Sequence, residues 1–111
     1  MFKLIALDLD GTLLNKNKEI SPDNLNVINK TIDKGYEVII ATGRGYYLAK
    51  KLTKSIRRPM TILANNGNIL RSSRDDKVIF SRFISKDDFR NALLLGKSYD
   101  LHPIIHVDYY L

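Results

Sequence analysis

Apolar residues along the chain come in short blocks separated by polar stretches, and the blocks alternate in kind. Phe2 to Leu9 is interrupted by charge only at Lys3 and Asp8, the pattern of a strand covered on both faces. Ser21-Pro22-Asp23 then opens a helix, with Ser21 as N-cap and Pro22 at the first helical position, where its missing N–H costs nothing. Leu25, Ile28 and Ile32 recur at helical spacing on one side, and Gly35 ends the run. Tyr36 to Ala41 is a second buried strand. A second helix follows to about Ser55, its inner side carried by Leu48 and Leu52, with Pro59 beyond it and a short third strand at Thr61 to Ala64.

Strand, helix, strand, helix, strand with short connections predicts right-handed crossovers and a parallel sheet, hence an α/β, Rossmann-like fold. Three strand ends, at Asp8 to Thr12, Thr42 to Arg44 and Asn65 to Gly67, carry small or polar residues on the carboxyl side. Open parallel sheets bind ligands at that edge. Further on, Asn68 to Arg71 and Lys77 to Phe80 flank Ser72 to Asp76 as a hairpin. Ser85-Lys86-Asp87-Asp88 caps a helix to about Ser98, with Phe89, Leu93 and Leu94 inward, and Pro103 to Val107 reads as another strand. The parallel alternation has stopped by then, which places a domain boundary near Arg82: residues 1–82 form one unit and 83–111 begin a second.

Composition narrows the class. A chain of 111 residues with 44% hydrophobic and 27% charged residues is one short globular domain's worth, not a disordered segment. The absence of cysteine removes disulfide frameworks, thiolate zinc sites and a cysteine nucleophile, and fits a reducing compartment. No apolar run approaches the roughly 20 residues of a membrane span. The block Leu4 to Leu7 is too short for a signal sequence and has Asp8 close behind it, so a cytoplasmic location with no membrane partner is expected.

The net charge of +6 is uneven, with eight basic residues and no acid from Ala41 to Arg74. Such a segment could meet nucleic acid, concentrate a small phosphorylated substrate, or simply be the solvated side of a helix and its exit loop. No aromatic platform or recognition motif accompanies the charge, so nucleic acid is not an expected partner.

Asp8 and Asp10 are two apart at a strand end, which sends both side chains out on one face. Two close carboxylates repel unless a cation or proton is shared, which points to a hard metal such as Mg²⁺ or to an acid/base partnership; an ordinary acidic strand end is the plain alternative. Gly11 and Thr12 let the backbone turn and present N–H groups and a hydroxyl to an anion.

The whole run Phe-Lys-Leu-Ile-Ala-Leu-Asp-Leu-Asp-Gly-Thr-Leu-Leu, residues 2–14, resembles the first motif of the haloacid dehalogenase superfamily, whose hydrolases pass a phosphoryl group through an aspartyl phosphate. Ile-Ile-Ala-Thr-Gly-Arg at 39–44 resembles the second motif of its Cof-type branch, and Leu-Ala-Asn-Asn-Gly-Asn at 63–68 resembles the branch's Asn-Gly signature, with Asn68 where Ala is usual.

The resemblance implies that Asp8 is the nucleophile on phosphorus and a ligand of Mg²⁺. A carboxylate attacks a dianionic phosphate poorly unless a cation lowers their repulsion. Asp10 would protonate the leaving alcohol and later take a proton from water, with its backbone carbonyl on the metal. Thr42 would hold a phosphoryl oxygen near the positive end of the second helix while also serving as its N-cap. Gly43 would allow tight backbone packing. Arg44 stays open between substrate and a solvated first turn, and Asn66 and Gly67 between the substrate side and an ordinary Asn-Gly turn.

The implied activity is Mg²⁺-dependent hydrolysis of small phosphorylated metabolites such as sugar phosphates or nucleotides. Branch members are usually more than twice this length. By resemblance, residues 1–82 are the first half of the catalytic core and 83–111 the start of an inserted α+β cap. The family's third-motif Lys and fourth-motif acids have no match here. This chain alone is therefore expected to have little activity, and a noncatalytic metal- and phosphate-binding module that needs a partner chain is the alternative. The family sheet has its first strand in the centre, so Leu4 to Leu9 would be an uncovered edge inviting self-association. A receiver domain would need Asp at the end of the third strand, where Asn65 stands.

Overall fold

The computed structural model describes residues 3–107. Its elements are β1 (Leu4–Leu7), α1 (Pro22–Asp33), β2 (Glu37–Ala41), α2 (Tyr46–Leu52), β3 (Thr61–Ala64), β4 (Ile69–Ser72), β5 (Val78–Ser81) and α3 (Lys86–Ser98). The strands form one sheet in the order β1-β2-β3-β4-β5. β1, β2 and β3 are parallel, with Ala6 opposite Ile39 and Ile40 opposite Ile62. β4 and β5 return antiparallel, with Leu63 opposite Leu70 and Leu70 opposite Phe80. The α/β fold is thus the expected one, and the hairpin extends the same sheet. Its strands start one residue later than expected because Asn68 belongs to the turn, its N–H donating to the Asn65 carbonyl at 3.3 Å.

Long apolar runs become strands here because a parallel sheet is covered by helices. Val38 and Ile40 of β2, Ile62 and Ala64 of β3 and Ile69 of β4 join Ile28 of α1 and Tyr46 and Ala49 of α2 in one core. Leu25 and Ile32 of α1 pack against it as their spacing requires. The Ser21 hydroxyl accepts the Asn24 N–H at 3.2 Å, and Gly35, at φ 86°, closes the helix as only a left-handed residue can.

Several expectations are corrected. The first strand stops at Leu7, because Asp8 and Leu9 enter a wide turn in which the Leu13 and Leu14 N–H groups donate to the Asp8 and Leu9 carbonyls at 3.3 and 2.9 Å. Phe2 lies outside the described residues. The second helix begins at Tyr46 with Gly45 as its N-cap residue, so Thr42 is not the cap. That start turns Tyr46, Ala49 and Thr53 inward at helical spacing and leaves Leu48 40% exposed, while Leu52 is half-buried. β1 sits at the end of the sheet, with Leu4 and Ile5 exposed.

The chain divides into two units, Met1–Ser81 and Arg82–Leu111. In the second, the Ser85 hydroxyl accepts the Asp88 N–H at 3.0 Å and donates to the Asp88 carboxylate at 2.7 Å, starting α3. Phe89 and Leu93 are half-buried, whereas Leu94 is exposed. Pro103 to Val107 is irregular instead of a strand, since no other strand of this unit is present among the described residues to pair with it. Among the described residues no helix is long and apolar enough to cross a membrane.

Candidate active site

The carboxyl ends of the three parallel strands meet around one cavity of about 340 Å³, lined by Asp8, Ala41, Thr42, Gly43, Leu63, Asn66 and Gly67. Asp8 arrives there because β1 ends one residue before it. Its carboxylate is approached by the Thr12 hydroxyl at 3.5 Å, a long contact that leaves its oxygens open. Gly11, at φ 75°, permits the turn that brings Thr12 back to Asp8.

Thr42 is buried, and its main chain is clamped on both sides: its N–H donates to the Leu63 carbonyl at 2.9 Å and its carbonyl accepts the Asn66 N–H at 3.2 Å. Its hydroxyl oxygen accepts the Arg44 N–H at 3.2 Å, which leaves the hydroxyl proton for another acceptor. The Asn65 N–H donates to the Arg44 carbonyl at 2.9 Å. Asn65, Asn66 and Gly67 all have positive φ, at 51°, 56° and 90°, so the turn after β3 folds tightly against the loop after β2. A Cβ on Gly43 would stand 2.8 Å from the Asn66 amide oxygen, so a side chain there would require the Asn66 side chain to shift.

Asp10 is placed differently from the shared-cation expectation. Its carboxylate accepts from Arg44 Nε at 2.6 Å, Arg44 Nη2 at 2.8 Å and Lys18 Nζ at 2.9 Å. The Arg44 hydrogen bonds first, then Lys18, hold its carboxyl well below the usual carboxylate range, and Asp10 in turn raises the Arg44 guanidinium. Asp10 is therefore in its base form, and its side chain is occupied by protein cations.

Asp8, Thr42, Gly43, Asn66 and Gly67 thus share the cavity; Asp10, Gly11, Thr12 and Arg44 lie outside its lining. Among the described residues no three acids or histidines gather as a metal cluster. A second cavity of about 300 Å³ touches Tyr36 to Val38 and Pro59 to Thr61, the entry ends of β2 and β3, and holds none of the expected residues. Lys18 is the residue beside Asp10 that no motif marks. The Asn15-Lys16-Asn17-Lys18 run is a turn signal that could have brought Lys18 back toward the first strand end.

The sequence model of a family described as haloacid dehalogenase-like hydrolase matches residues 5–111. The chain belongs to that family.

Two Bacillus subtilis relatives of this haloacid dehalogenase-like chain are 5-amino-6-(5-phospho-D-ribitylamino)uracil phosphatases. YitU is 32% identical over 105 residues, covering 92% of this chain and 38% of YitU. YwtE is 46% identical over 67 residues, covering 60% of this chain and 23% of YwtE. The solved structure of a Bacteroides thetaiotaomicron phosphatase of the superfamily superposes with a TM-score of 0.79 at 31% identity, over 90% of this chain and 37% of that one. The chain thus spans well under half the length of these relatives. The family and fold read from the three motifs are the ones found.

Proposed function

We propose that this chain carries the nucleophile-bearing part of a cytoplasmic, Mg²⁺-dependent phosphohydrolase of small phosphorylated metabolites, sugar phosphates or nucleotides among them. The observation that carries the reading is that the ends of all three motifs converge on one cavity with Asp8 in its lining. The relatives support the substrate class, since YitU and YwtE are named for a phosphorylated ribityl compound. The location rests on the cysteine-free composition.

Mg²⁺ takes one or two carboxylates and fills its remaining positions with water and phosphate oxygens, a demand that the open Asp8 carboxylate fits. Asp8 would hold the ion by its side chain and Asp10 by its main-chain carbonyl. When bound, the ion lowers the repulsion between a carboxylate and a dianionic phosphate.

An Asp8 oxygen attacks phosphorus, and the bond from phosphorus to the substrate oxygen breaks. Asp10 gives that oxygen its proton, then takes one from the water that cleaves the acyl phosphate. The base form held by Arg44 and Lys18 suits the second half-reaction, and Asp10 must be protonated and released from both for the first. Thr42 donates its free hydroxyl proton to a phosphoryl oxygen.

Removing one preorganised electrostatic group typically costs about 10² to 10³ in rate. With no match for the family's Lys and further acids, this chain alone should turn over slowly. A noncatalytic module completed by a partner chain is the second reading, favoured by the lack of a three-acid cluster among the described residues.

The test is hydrolysis of a generic phosphate ester with Mg²⁺ or EDTA, alongside Asp8→Asn. The expected result is weak, Mg²⁺-dependent turnover that Asp8→Asn abolishes. Activity indifferent to Asp8 contradicts the phosphohydrolase reading, and no activity beside intact phosphate binding favours the second.

A further inference from the structure

Resting on that reading of the site, we propose that Lys18 is an anion-binding residue, its ammonium, held on Asp10, meeting phosphoryl oxygens of the ligand. Lys18 occupies the tip of a small hairpin closed by the pairing of Leu14 with Ile20. Asn15 builds this turn: its side-chain oxygen accepts the Asn17 and Glu19 N–H groups at 2.9 and 3.0 Å, and its carbonyl accepts the Lys18 N–H at 3.0 Å. The turn leaves Lys18 at φ 61°, in the left-handed region that glycine and asparagine adopt most easily. Nothing in the turn uses the lysine side chain. Strain of this kind at a residue its own turn does not need points to function elsewhere.

The side chain instead reaches back eight residues to Asp10 at 2.9 Å. Arg44 is the other cation on that carboxylate, but it commits Nε and Nη2 to Asp10 and is only 28% exposed. Lys18 is 55% exposed, and its ammonium has three donors, of which Asp10 takes one. Asp10 thereby holds a cation with spare donors on the turn that follows Asp8, and a dianion that meets the Asp8 carboxylate needs compensating charge.

The experiment titrates the 111-residue protein with inorganic phosphate in Mg²⁺ buffer, reading backbone amide shifts, for wild type, Lys18→Gly, Lys18→Asn, Lys18→Arg and Thr42→Val. Gly and Asn both accept positive φ, so these two variants remove the charge without straining the turn. Both should bind phosphate about tenfold more weakly, the order expected for losing one charge-assisted hydrogen bond, while staying folded with a thermal midpoint close to that of wild type. Lys18→Arg should stay within about threefold of wild type, since the charge is retained.

Wild-type affinity in Lys18→Gly and Lys18→Asn overturns the proposal, as does an equal loss in Lys18→Arg. If Thr42→Val alone loses phosphate, the site stands and the role of Lys18 falls. If folded wild type shifts no amides of the cavity, the phosphohydrolase reading falls with it.

Discussion

Thr42→Val separates the hydroxyl of Thr42 from its shape. Thr42 is 6% exposed, so valine fills the same space and exchanges the hydroxyl for a methyl. The Arg44 N–H, which now donates to Thr42 Oγ1 at 3.2 Å, loses its acceptor in a partly buried position. Leaving such a donor unmet costs about 1 to 3 kcal/mol when fully buried; at this partly buried group about 1 to 2 kcal/mol is expected. In a chain of this size that lowers the thermal midpoint by about 5 to 10 °C. The hydroxyl proton is lost as well, so turnover should fall by about 10² and phosphate binding by about tenfold. Urea unfolding followed by circular dichroism reads the first effect and amide shifts on phosphate addition read the second, with Thr42→Ser expected to retain both. A valine variant as stable as wild type and binding phosphate equally well would refute the reasoning.

Three other outcomes follow from the same contacts. Tyr46 is buried and its single hydroxyl proton lies within reach of the Ser72 carbonyl at 2.9 Å and of the Asp76 carboxylate, so Tyr46→Phe should cost about 2 kcal/mol in urea unfolding, and a change below about 0.5 kcal/mol would contradict the role of this hydroxyl. Arg44 and Lys18 lower Asp10, Arg58 lowers Asp33, and Lys50 and Tyr46 lower Asp76. The unfolded chain therefore takes up protons first, and stability should fall steadily as pH drops below about 4, where urea midpoints that stay flat would oppose the assignment. The exposed end strand β1 should make the protein self-associate, which sedimentation velocity over a wide concentration range tests and which a persistent monomer would exclude.

What was legible in the sequence was set by local chemistry. Ser21-Pro22 and Gly35 bracket α1 because a cap, a fixed φ and a left-handed stop act within a few residues. The blocks that became β2 and β3 turn Val38, Ile40, Ile62 and Ala64 to the core and leave the alternate positions half-buried or exposed, and the short crossovers between them account for the parallel sense. The start of the second helix is not set locally: with Gly45 as cap residue, Tyr46 and Ala49 face the core and Leu48 does not, and the loop packed against Asn65 and Asn66 decides that. The place of Asp8 just after the first strand was readable from its motif. The cations on Asp10 were not, since Arg44 lies 34 residues away and Lys18 reaches Asp10 through a hairpin closed by a single bridge. Pro103 to Val107 shows the converse, an apolar run with no strand of its own unit to pair with among the described residues.

The central claim is that Asp8 accepts the phosphoryl group. Its most direct test incubates the purified protein with acetyl phosphate and Mg²⁺, quenches in acid and maps the adduct by peptide mass spectrometry. The account predicts a single phosphoryl group on Asp8, missing with EDTA and in Asp8→Asn. A phosphoryl group on another residue, or none on Asp8 while the folded protein binds phosphate in its cavity, would contradict it.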